Sequence, residues 1–254
     1  MLPLIFIPGL ACDAEVWAEV IEALPPPARR GLRISDVHTR HASLPAMAAA
    51  LLAEASGPAI LIGHSMGGMV AMHAALQASQ AGGAQAGAAP VAGLALLGTT
   101  ARPDTPELIA LRTQAIELFA AGRLDEVLRA NLPFAFHPDS GADEALRQRY
   151  LAIVRRAGAE QLIRQNRAVM ARADLRPHLA AIACPVLVAC GEGDALTPPA
   201  VSDELAALLP RAQRVRLAGC GHMLTLEQPA AVASLLAGWL DGLDGRGQPK
   251  RARD

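Results

Sequence analysis

Short apolar runs alternate along the chain with longer stretches in which apolar residues recur every three or four positions. Short runs rich in Val, Ile and Leu are typical of buried strands, and the three-to-four spacing is typical of helices that pack one face. The runs predict strands at 4–7, 33–37, 59–62, 93–97, 185–189 and 214–217. Strands that alternate with helices predict an α/β fold, with a mostly parallel sheet flanked by helices.

Residues that start and stop helices support these boundaries. Asp13 precedes a helix-like stretch and prolines 25–27 follow it. Ser43 opens a second stretch that ends near Gly57, and Pro229 lies in the first turn of the last one. Asp and Ser accept hydrogen bonds from the free N–H groups at a helix start, whereas proline cannot continue a helix. The last helix is predicted to bury a stripe of four residues: Val232, Leu235, Leu236 and Trp239.

The segment 101–178 has helical spacing and no strand pattern. Thr105 and Pro106 begin the first of four predicted helices. Leu108, Leu111, Ala115 and Leu118 are predicted to lie on one face of this helix. The other three are predicted at 124–132, 142–157 and 159–173, separated by Pro133, Pro138 and Gly158. Four helices inserted between two strands of a parallel sheet are expected to cover the strand ends as a cap.

These patterns divide the chain into a core and an insertion. Residues 1–100 and 179–242 are expected to form the α/β core, with 101–178 as the inserted all-helical cap. The segment 79–90 consists almost entirely of Ala, Gly and Gln, and it predicts a mobile surface loop. The end of the chain, 243–254, is Gly-rich and then basic, which predicts a flexible tail.

The composition narrows the class of protein. The chain has 254 residues, 52% of them apolar, and a formal net charge of −1, so it has no basic surplus that would favour nucleic acid. No apolar run reaches the ~20 residues of a membrane span. The N-terminal run lacks a basic leader, and the four cysteines lack zinc-ligand spacing. We therefore expect free thiols, a cytoplasmic location and no membrane partner.

The most informative chemistry lies at Ser65, in the run Gly63-His64-Ser65-Met66-Gly67. G-x-S-x-G between a strand-like and a helix-like run is typical of a nucleophile elbow. The glycines are required because the turn is too tight for a Cβ atom. The serine then lies at a helix N-terminus, where the partial positive charge favours the anion formed in acyl transfer. The alternative is that Ser65 merely caps the helix.

A serine nucleophile needs a base that is oriented by a third group. In a parallel sheet these groups are expected in loops at the carboxyl ends of the strands. Asp194 follows the strand predicted at 185–189, and His222 follows the last strand. The chain order Ser, Asp, His is typical of α/β-hydrolases. Glu192 is the nearest competing acid, and Asp194 alternatively starts the helix near Pro198.

An oxyanion formed during acyl transfer needs two backbone N–H donors. We expect one from Met66, directly after the nucleophile, and the other from Leu10 in the loop after the first strand. Gly9 permits the close approach of that loop. His64 is expected to pack rather than react. We expect neither a metal nor an organic cofactor.

The chain up to about residue 241 resembles a small serine hydrolase of the α/β-hydrolase superfamily. The resemblance lies in the glycine-rich runs around Ser65, Asp194 and His222, and in Pro8-Gly9-Leu10. It is most similar to the capped branch that includes pimeloyl-acyl-carrier-protein methyl ester esterases, 3-oxoadipate enol-lactonases and carbon–carbon bond hydrolases. The resemblance implies a Ser65-Asp194-His222 triad with Leu10 and Met66 in the oxyanion hole. Pro8-Gly9 departs from the His-Gly pair that is common there.

These observations predict a serine carboxylic ester hydrolase that acts on a small or medium acyl ester through an acyl-enzyme. Enol-lactone hydrolysis and carbon–carbon bond hydrolysis are alternatives that use the same site. A different class is a ligand receptor that keeps the triad and turns over slowly. Turnover number separates the receptor from the enzymes, which typically exceed ~1 s⁻¹.

The predicted cap carries two weaker indications of substrate. Asn166 falls on the apolar stripe between Leu162 and Met170, where a buried amide needs a partner, either substrate or a backbone carbonyl. Asn166 is therefore a candidate pocket residue, and four others are candidate pocket walls and equally candidate cap core: Phe119, Phe134, Phe136 and Met170. Seven arginines crowd its last two helices: Arg147, Arg149, Arg155, Arg156, Arg164, Arg167 and Arg172. These arginines either form a solvated face or attract an anionic substrate. Such a substrate would be an acidic ester or one tethered to an acidic carrier protein.

Overall fold

The computed structural model describes residues 2–29, 31–81 and 91–243. Its strands form one sheet in the order β2-β1-β3-β4-β5-β6, and each neighbouring pair is parallel. The strands are β1 Leu4–Ile7, β2 Arg33–Ile34, β3 Ala59–His64, β4 Val91–Leu97, β5 Val186–Gly191 and β6 Ala212–Leu217. The predicted α/β fold with a parallel sheet is confirmed.

Helices connect the strands and cover both faces of the sheet. Those of the core are α1 Ala18–Ala23, α2 Val37–Arg40, α3 Leu44–Ala53, α4 Met66–Ala81, α8 Pro199–Leu208, α9 Leu224–Glu227 and α10 Pro229–Leu243. Those between β4 and β5 are α5 Pro106–Ala120, α6 Leu124–Ala135 and α7 Glu144–Met170. Within the described ranges, no helix has the length and apolar character that a membrane crossing requires.

Side chains of the central strands alternate between two hydrophobic cores. Phe6 and Ile62 pack on one face of the sheet together with Trp17. Their neighbours Ile5 and Leu61 pack on the other face, against α3 and α4. Because both faces are buried, these strands are continuous apolar runs rather than alternating ones.

Two predicted boundaries in the first part of the core are wrong or incomplete. The strand predicted at 33–37 ends at Ile34, because Ser35 and Asp36 turn the chain into α2, which starts at Val37. The Ser35 hydroxyl accepts a hydrogen bond from the Val37 N–H, which stabilises the turn. Residues 79–81 of the predicted loop continue α4, and 82–90 lie outside the described residues. The predicted tail also lies outside them, from residue 244 onward.

The segment 101–178, called the cap segment below, is helical up to Met170, as its spacing predicts. α7 is interrupted at Gly158, where φ is 73° and ψ is 166°, so the predicted break between its two halves is confirmed. The predicted stop at Pro133 is wrong, because this residue lies inside α6 and the helix ends at Ala135. A 3₁₀ turn, Arg176–Ala181, then leads into β5.

The apolar face of α5 is exposed in the first turns of the helix. Leu108 is 43% exposed and Leu111 is 61% exposed, whereas Phe119 near the end of the helix is 4% exposed. Thr105 caps the helix as predicted, with its side chain accepting from the Leu108 N–H. Among the apolar residues of α5, burial is therefore greatest near its C-terminal end, at Phe119.

Candidate active site

Ser65 is the single residue between β3, which ends at His64, and α4, which begins at Met66. Its φ of 52° lies in the left-handed region that disfavours residues with a Cβ atom. Its N–H donates to the Leu97 carbonyl at 2.9 Å, and its carbonyl accepts from the Thr99 hydroxyl at 2.7 Å. Contacts with the end of β4 therefore hold the strained residue in place.

The glycines around Ser65 are needed because backbone occupies the space of their missing side chains. A Cβ atom at Gly63 would lie 2.3 Å from the Gly67 carbonyl oxygen. At Gly67 it would lie 2.1 Å from the carbonyl oxygen of Ile7, at the end of β1. Distances this short are incompatible with van der Waals contact. The elbow thus depends on close backbone approaches between β1, β3 and α4.

The structure brings Ser65, His222 and Asp194 together from three separate loops. His222 Nε2 lies 3.1 Å from Ser65 Oγ. His222 Nδ1 lies 2.9 Å from Asp194 Oδ2. A carboxylate can only accept, so Nδ1 carries the proton and Nε2 is free to accept the Ser65 hydroxyl proton. The two bonds form a continuous path from carboxylate to hydroxyl.

Asp194 is held as a carboxylate by its surroundings. Burial opposes its ionisation, but the neighbouring His222 and hydrogen bonds from His222 and Thr197 outweigh burial and keep the pKa of the carboxyl below its usual value. The Thr197 hydroxyl donates to Oδ2 at 2.7 Å, and its N–H donates to Oδ1 at 2.8 Å. Glu192, the competing acid, is exposed. Sequence reasoning missed Thr197, although an Asp followed three residues later by a Thr N–H donor is a common local turn.

The two expected oxyanion donors flank the nucleophile. Gly9 lies so close to Ser65 that a Cβ atom on it would be 3.2 Å from the Ser65 Cβ. Leu10 follows Gly9, and Met66 begins α4 directly after the serine. Neither the Leu10 nor the Met66 N–H is used in a turn or loop hydrogen bond among the described residues. Their role as oxyanion donors stays a prediction.

His64 packs against the loop of His222, in keeping with its predicted packing role. Its Nε2 lies 2.9 Å from the backbone oxygen of His222, and the two rings are 5.1 Å apart. Burial, aided by the His222 charge, lowers the pKa of His64 to about 3. The ring is therefore neutral at physiological pH, with its Nε2 proton donated to the His222 carbonyl.

This low pKa predicts that folding stability falls in mild acid. An unfolded histidine takes up a proton below about pH 6.5, whereas folded His64 resists protonation until about pH 3. Protonation therefore favours the unfolded state as pH falls through this window. We expect His64 to cost about 2 kcal/mol of unfolding free energy between pH 7 and pH 5. Urea unfolding of wild type and His64→Gln at both values measures it.

Glutamine keeps a donor for the His222 carbonyl but does not titrate, so His64→Gln should lose less stability on acidification than wild type. His178→Gln is the matched control, because it removes an exposed histidine instead. Equal losses in wild type and His64→Gln would contradict the assignment of a neutral, protonation-resistant His64.

Glu227 holds the loop of His222 against the cap segment. Its carboxylate accepts from the N–H of Gly221 at 3.0 Å and from the N–H of His137 at 2.9 Å. Gly221 directly precedes His222, and His137 follows α6. Sequence reasoning missed this role because the pairing joins residues that are 90 positions apart.

The predicted pocket residues lie in different environments. Phe119 and Phe136 are buried in the same hydrophobic core, and Phe136 packs edge-on against Tyr150. Phe134 is 50% exposed, and Met170 is partly buried. Their role as pocket walls stays a prediction.

Asn166 lies on the buried stripe of α7, as predicted, and its amide finds partners within the chain. Its oxygen accepts from Arg112 at 2.9 Å, and its nitrogen donates to the Leu162 carbonyl at 2.8 Å. Arg112 also pairs with buried Asp104 at 2.8 Å. Protein groups therefore satisfy the buried amide without a ligand, and contact of Asn166 with substrate stays a prediction.

Most of the seven cap arginines pair with carboxylates of the same chain. The pairs are Arg147–Glu144, Arg149–Glu15, Arg155–Asp125, Arg156–Asp13 and Arg172–Asp104. The remaining two are Arg164, which donates to the Thr39 carbonyl, and the exposed Arg167. Pairing with carboxylates offsets much of the positive charge that the sequence concentrates here.

Two clefts lie at the opposite edge of the sheet, where the strands begin. One of about 300 Å³ is lined by Val91, Cys184 and Arg211, and one of about 460 Å³ by Pro3, Glu54 and Ala59, among others. Burial raises the pKa of the Cys184 thiol to about 11, so it is not an activated nucleophile. No cluster of metal-ligating side chains occurs in the described part of the chain. The chemistry therefore concentrates at the carboxyl edge, around Ser65.

A serine elbow at this edge of a parallel sheet, with a histidine and an aspartate from later loops, is the arrangement of one family of hydrolases. A family model described as alpha/beta hydrolase fold matches residues 3–229. The chain belongs to this α/β hydrolase family and is a hydrolase.

Curated relatives and solved structures agree with this class. The pimeloyl-[acyl-carrier protein] methyl ester esterase of Xanthomonas oryzae pv. oryzae is 30% identical over 249 residues, which cover 92% of each chain. An esterase from Thermogutta terrifontis matches with a TM-score of 0.81 and 23% identity, covering 96% of this chain and 90% of its own. The enol-lactonase of Burkholderia xenovorans matches with a TM-score of 0.75 and 24% identity, covering 94% and 92%. The structural matches support the fold, and the esterase relative supports ester hydrolysis in general.

Proposed function

We propose that the protein is a serine carboxylic ester hydrolase that acts on a small or medium acyl ester. The observation that carries the proposal is the path of hydrogen bonds from Asp194 through His222 to Ser65, with lengths of 2.9 and 3.1 Å. This geometry lets a neutral imidazole accept the serine proton while a buried carboxylate stabilises the imidazolium that forms. The Xanthomonas relative is named as a methyl ester esterase, which is consistent with this proposal.

The reaction proceeds through an acyl-enzyme. Ser65 Oγ attacks the ester carbonyl as its proton passes to His222 Nε2. The N–H groups of Leu10 and Met66 bind the oxyanion, each contributing about 3 kcal/mol to the transition state. His222 then protonates the leaving alcohol, and afterwards takes a proton from the water that releases the acid. Asp194 keeps the imidazole in the required tautomer throughout.

The substrate proposal extends to carrier-tethered and anionic esters. The Xanthomonas relative is named for the methyl ester of a pimeloyl group on acyl-carrier protein, which is an acidic-tailed acyl chain on a protein carrier. The cap arginines would attract such a substrate electrostatically. Since five of the seven are paired within the chain, the attraction rests mainly on the exposed Arg167.

A panel of p-nitrophenyl esters tests both parts of the proposal. We expect turnover of at least ~1 s⁻¹ at one preferred acyl length, which would size the acyl pocket. Between low salt and about 0.5 M salt, kcat/KM for a half-ester of a dicarboxylic acid should fall about twofold, and kcat/KM for a neutral ester of equal length should not. Arg167→Gln should remove this difference, and Arg147→Gln, in which Glu144 loses its partner, should leave it.

Other outcomes point to the alternatives. If added salt changes kcat/KM equally for the acidic and the neutral ester, the cap arginines serve only in surface ion pairs. Turnover restricted to an enol-lactone or to a carbon–carbon bond would keep the site and replace the substrate class. Tight ligand binding with turnover far below ~1 s⁻¹ would favour a receptor.

A further inference from the structure

Gln165 is a fully buried polar residue in the second half of α7, with 0% of its surface exposed. It lies three residues after Leu162 and four before Val169, both of which are buried apolar residues. A buried amide costs stability unless its donors and acceptors are paired. Its partners therefore indicate why the chain keeps a glutamine there.

Both ends of the Gln165 amide reach across to the α/β core. Its Oε1 accepts from the N–H of Ala11 at 2.7 Å. Its Nε2 donates to the carbonyl of His38, which precedes Thr39 in α2, at 3.0 Å. The backbone N–H of Ala11 can only donate and the carbonyl of His38 can only accept, so these partners fix the orientation of the amide.

His38 completes a closed set of hydrogen bonds, called the ring below, that joins Gln165, His38 and the loop residues Ala11 and Cys12. Its Nε2 lies 2.8 Å from the carbonyl oxygen of Cys12, so this nitrogen carries the proton and donates. Two backbone groups of the loop, the Ala11 N–H and the Cys12 carbonyl, are thereby held by Gln165 and His38. The ring joins α7 of the cap segment to the loop after β1.

The loop that the ring holds is strained at the residue next to the expected oxyanion donor. Ala11 has a φ of 60°, a left-handed conformation that is uncommon for residues with a Cβ atom. Such a conformation persists when the surrounding structure over-determines it. Leu10 directly precedes Ala11, so the bond that fixes the Ala11 peptide also restricts the direction of the Leu10 N–H.

We propose that Gln165 is a positioning residue for the oxyanion hole: it holds the Ala11 peptide so that the Leu10 N–H points at the developing oxyanion. The inference rests on the proposed function, because it assigns Gln165 a part in the same acyl transfer. The negative charge on the substrate oxygen develops only as the transition state is reached, and it is absent from the bound substrate. Loss of the positioning bond should therefore lower kcat and leave KM nearly unchanged.

The first test is Gln165→Met, which keeps the side-chain length and removes both hydrogen bonds. We expect kcat on the preferred p-nitrophenyl ester to fall at least about tenfold, with KM within about twofold of wild type. Loss of a whole oxyanion donor costs about 100- to 1,000-fold, which sets the upper limit. Gln161→Met is the matched control, because Gln161 lies one turn earlier on α7 and is partly exposed; its kinetics should equal wild type.

An alkylboronic acid gives a readout that general loosening of the fold would not produce. It forms a tetrahedral adduct with a serine nucleophile and places an oxygen in the oxyanion hole. Its inhibition constant should rise in Gln165→Met by about the factor lost in kcat, while inhibition by the product carboxylate stays unchanged. Gln165→Glu retains an oxygen that can accept from Ala11, so it should recover part of kcat. It also keeps the test open if the Met variant does not fold.

The outcomes separate this inference from the proposed function. Wild-type kcat in both Gln165 variants, with wild-type boronate inhibition, would overturn the positioning role and leave the esterase intact. Parallel losses in Gln165→Met and Gln161→Met would overturn it as well. Failure of the proposed function would appear in wild type itself, as absence of ester turnover and of boronate inhibition.

Discussion

Ser65→Ala should lower kcat for the preferred ester by at least about a thousandfold and leave substrate binding nearly unchanged. The reason is that Ser65 Oγ is the atom 3.1 Å from His222 Nε2, and without it no acyl-enzyme forms. The residual rate should come from the oxyanion donors and from binding alone. Steady-state kinetics on purified variant, together with mass spectrometry after a fluorophosphonate probe, measure both the rate and the loss of covalent labelling.

Ser79→Ala is the control for this variant. Ser79 lies near the other end of α4 and is exposed, so the same side-chain change should leave both kcat and labelling at wild-type values. Wild-type turnover in Ser65→Ala would remove Ser65 from the nucleophile role and with it the proposed mechanism. Labelling of Ser65 without ester turnover would instead keep the nucleophile and favour a slow receptor.

Gly67→Ala should destabilise the fold by at least about 3 kcal/mol. The added Cβ would lie 2.1 Å from the Ile7 carbonyl oxygen and 2.7 Å from that of Pro8, and neither backbone oxygen can rotate away. Relief requires α4 to move from the end of β1, which also moves Leu10 relative to Ser65. Displacements of about 1 Å at a catalytic group can cost 100-fold in rate, so the folded fraction should also be a poor enzyme. Urea unfolding and kcat on the same sample measure the two effects.

Gly238→Ala makes the same chemical change where there is room for it. Gly238 lies inside α10, is exposed, and has nothing within 4 Å of the added Cβ position. Alanine is favoured over glycine inside a helix by about 0.5–1 kcal/mol, so this variant should be slightly more stable than wild type and fully active. Similar stability in both variants would mean that the elbow tolerates a side chain at Gly67.

The fold could be predicted from the sequence where one local pattern determined each element. The β1, β3 and β5 runs are buried on both faces, so their apolar runs identified the strands clearly. The sequence was less informative where tertiary packing, rather than the local pattern, determined which side chains are buried or where a helix ends. Leu108 and Leu111 have helical spacing, but no neighbouring element that the structure describes covers their side chains, and both are exposed. Pro133 lies in the last turn of α6, which ends two residues later at Ala135, so the helix breaks after the proline rather than before it.

The residues of the candidate site also fall into two groups: those that a local motif predicts and those that only the tertiary fold brings together. Ser65, Asp194 and His222 carry local motifs, and the structure brings them within hydrogen-bonding distance of one another, although their catalytic roles stay a prediction. The residues that hold them, Glu227 and Gln165, bond across long sequence separations that no local pattern encodes. Gln165 did leave a signal, since it shares the apolar stripe of α7 with Asn166, but its partner on the loop after β1 follows only from the tertiary fold.

The bonds made by Glu227 and Gln165 have a consequence for which segments of this chain can be exchanged separately. One anchors the cap segment to the loop of His222, and the other anchors it to the loop after β1. Recombination that exchanges 101–178 alone would separate each anchor from its partner, leaving the partly buried Glu227 carboxylate or the strained Ala11 peptide without its hydrogen bond. Because the Gln165 amide also donates to the His38 carbonyl in α2, the stretches 8–12, 37–40, 101–178 and 219–227 should be inherited together. A chimera that moves all four should retain more activity than one that moves the cap segment by itself.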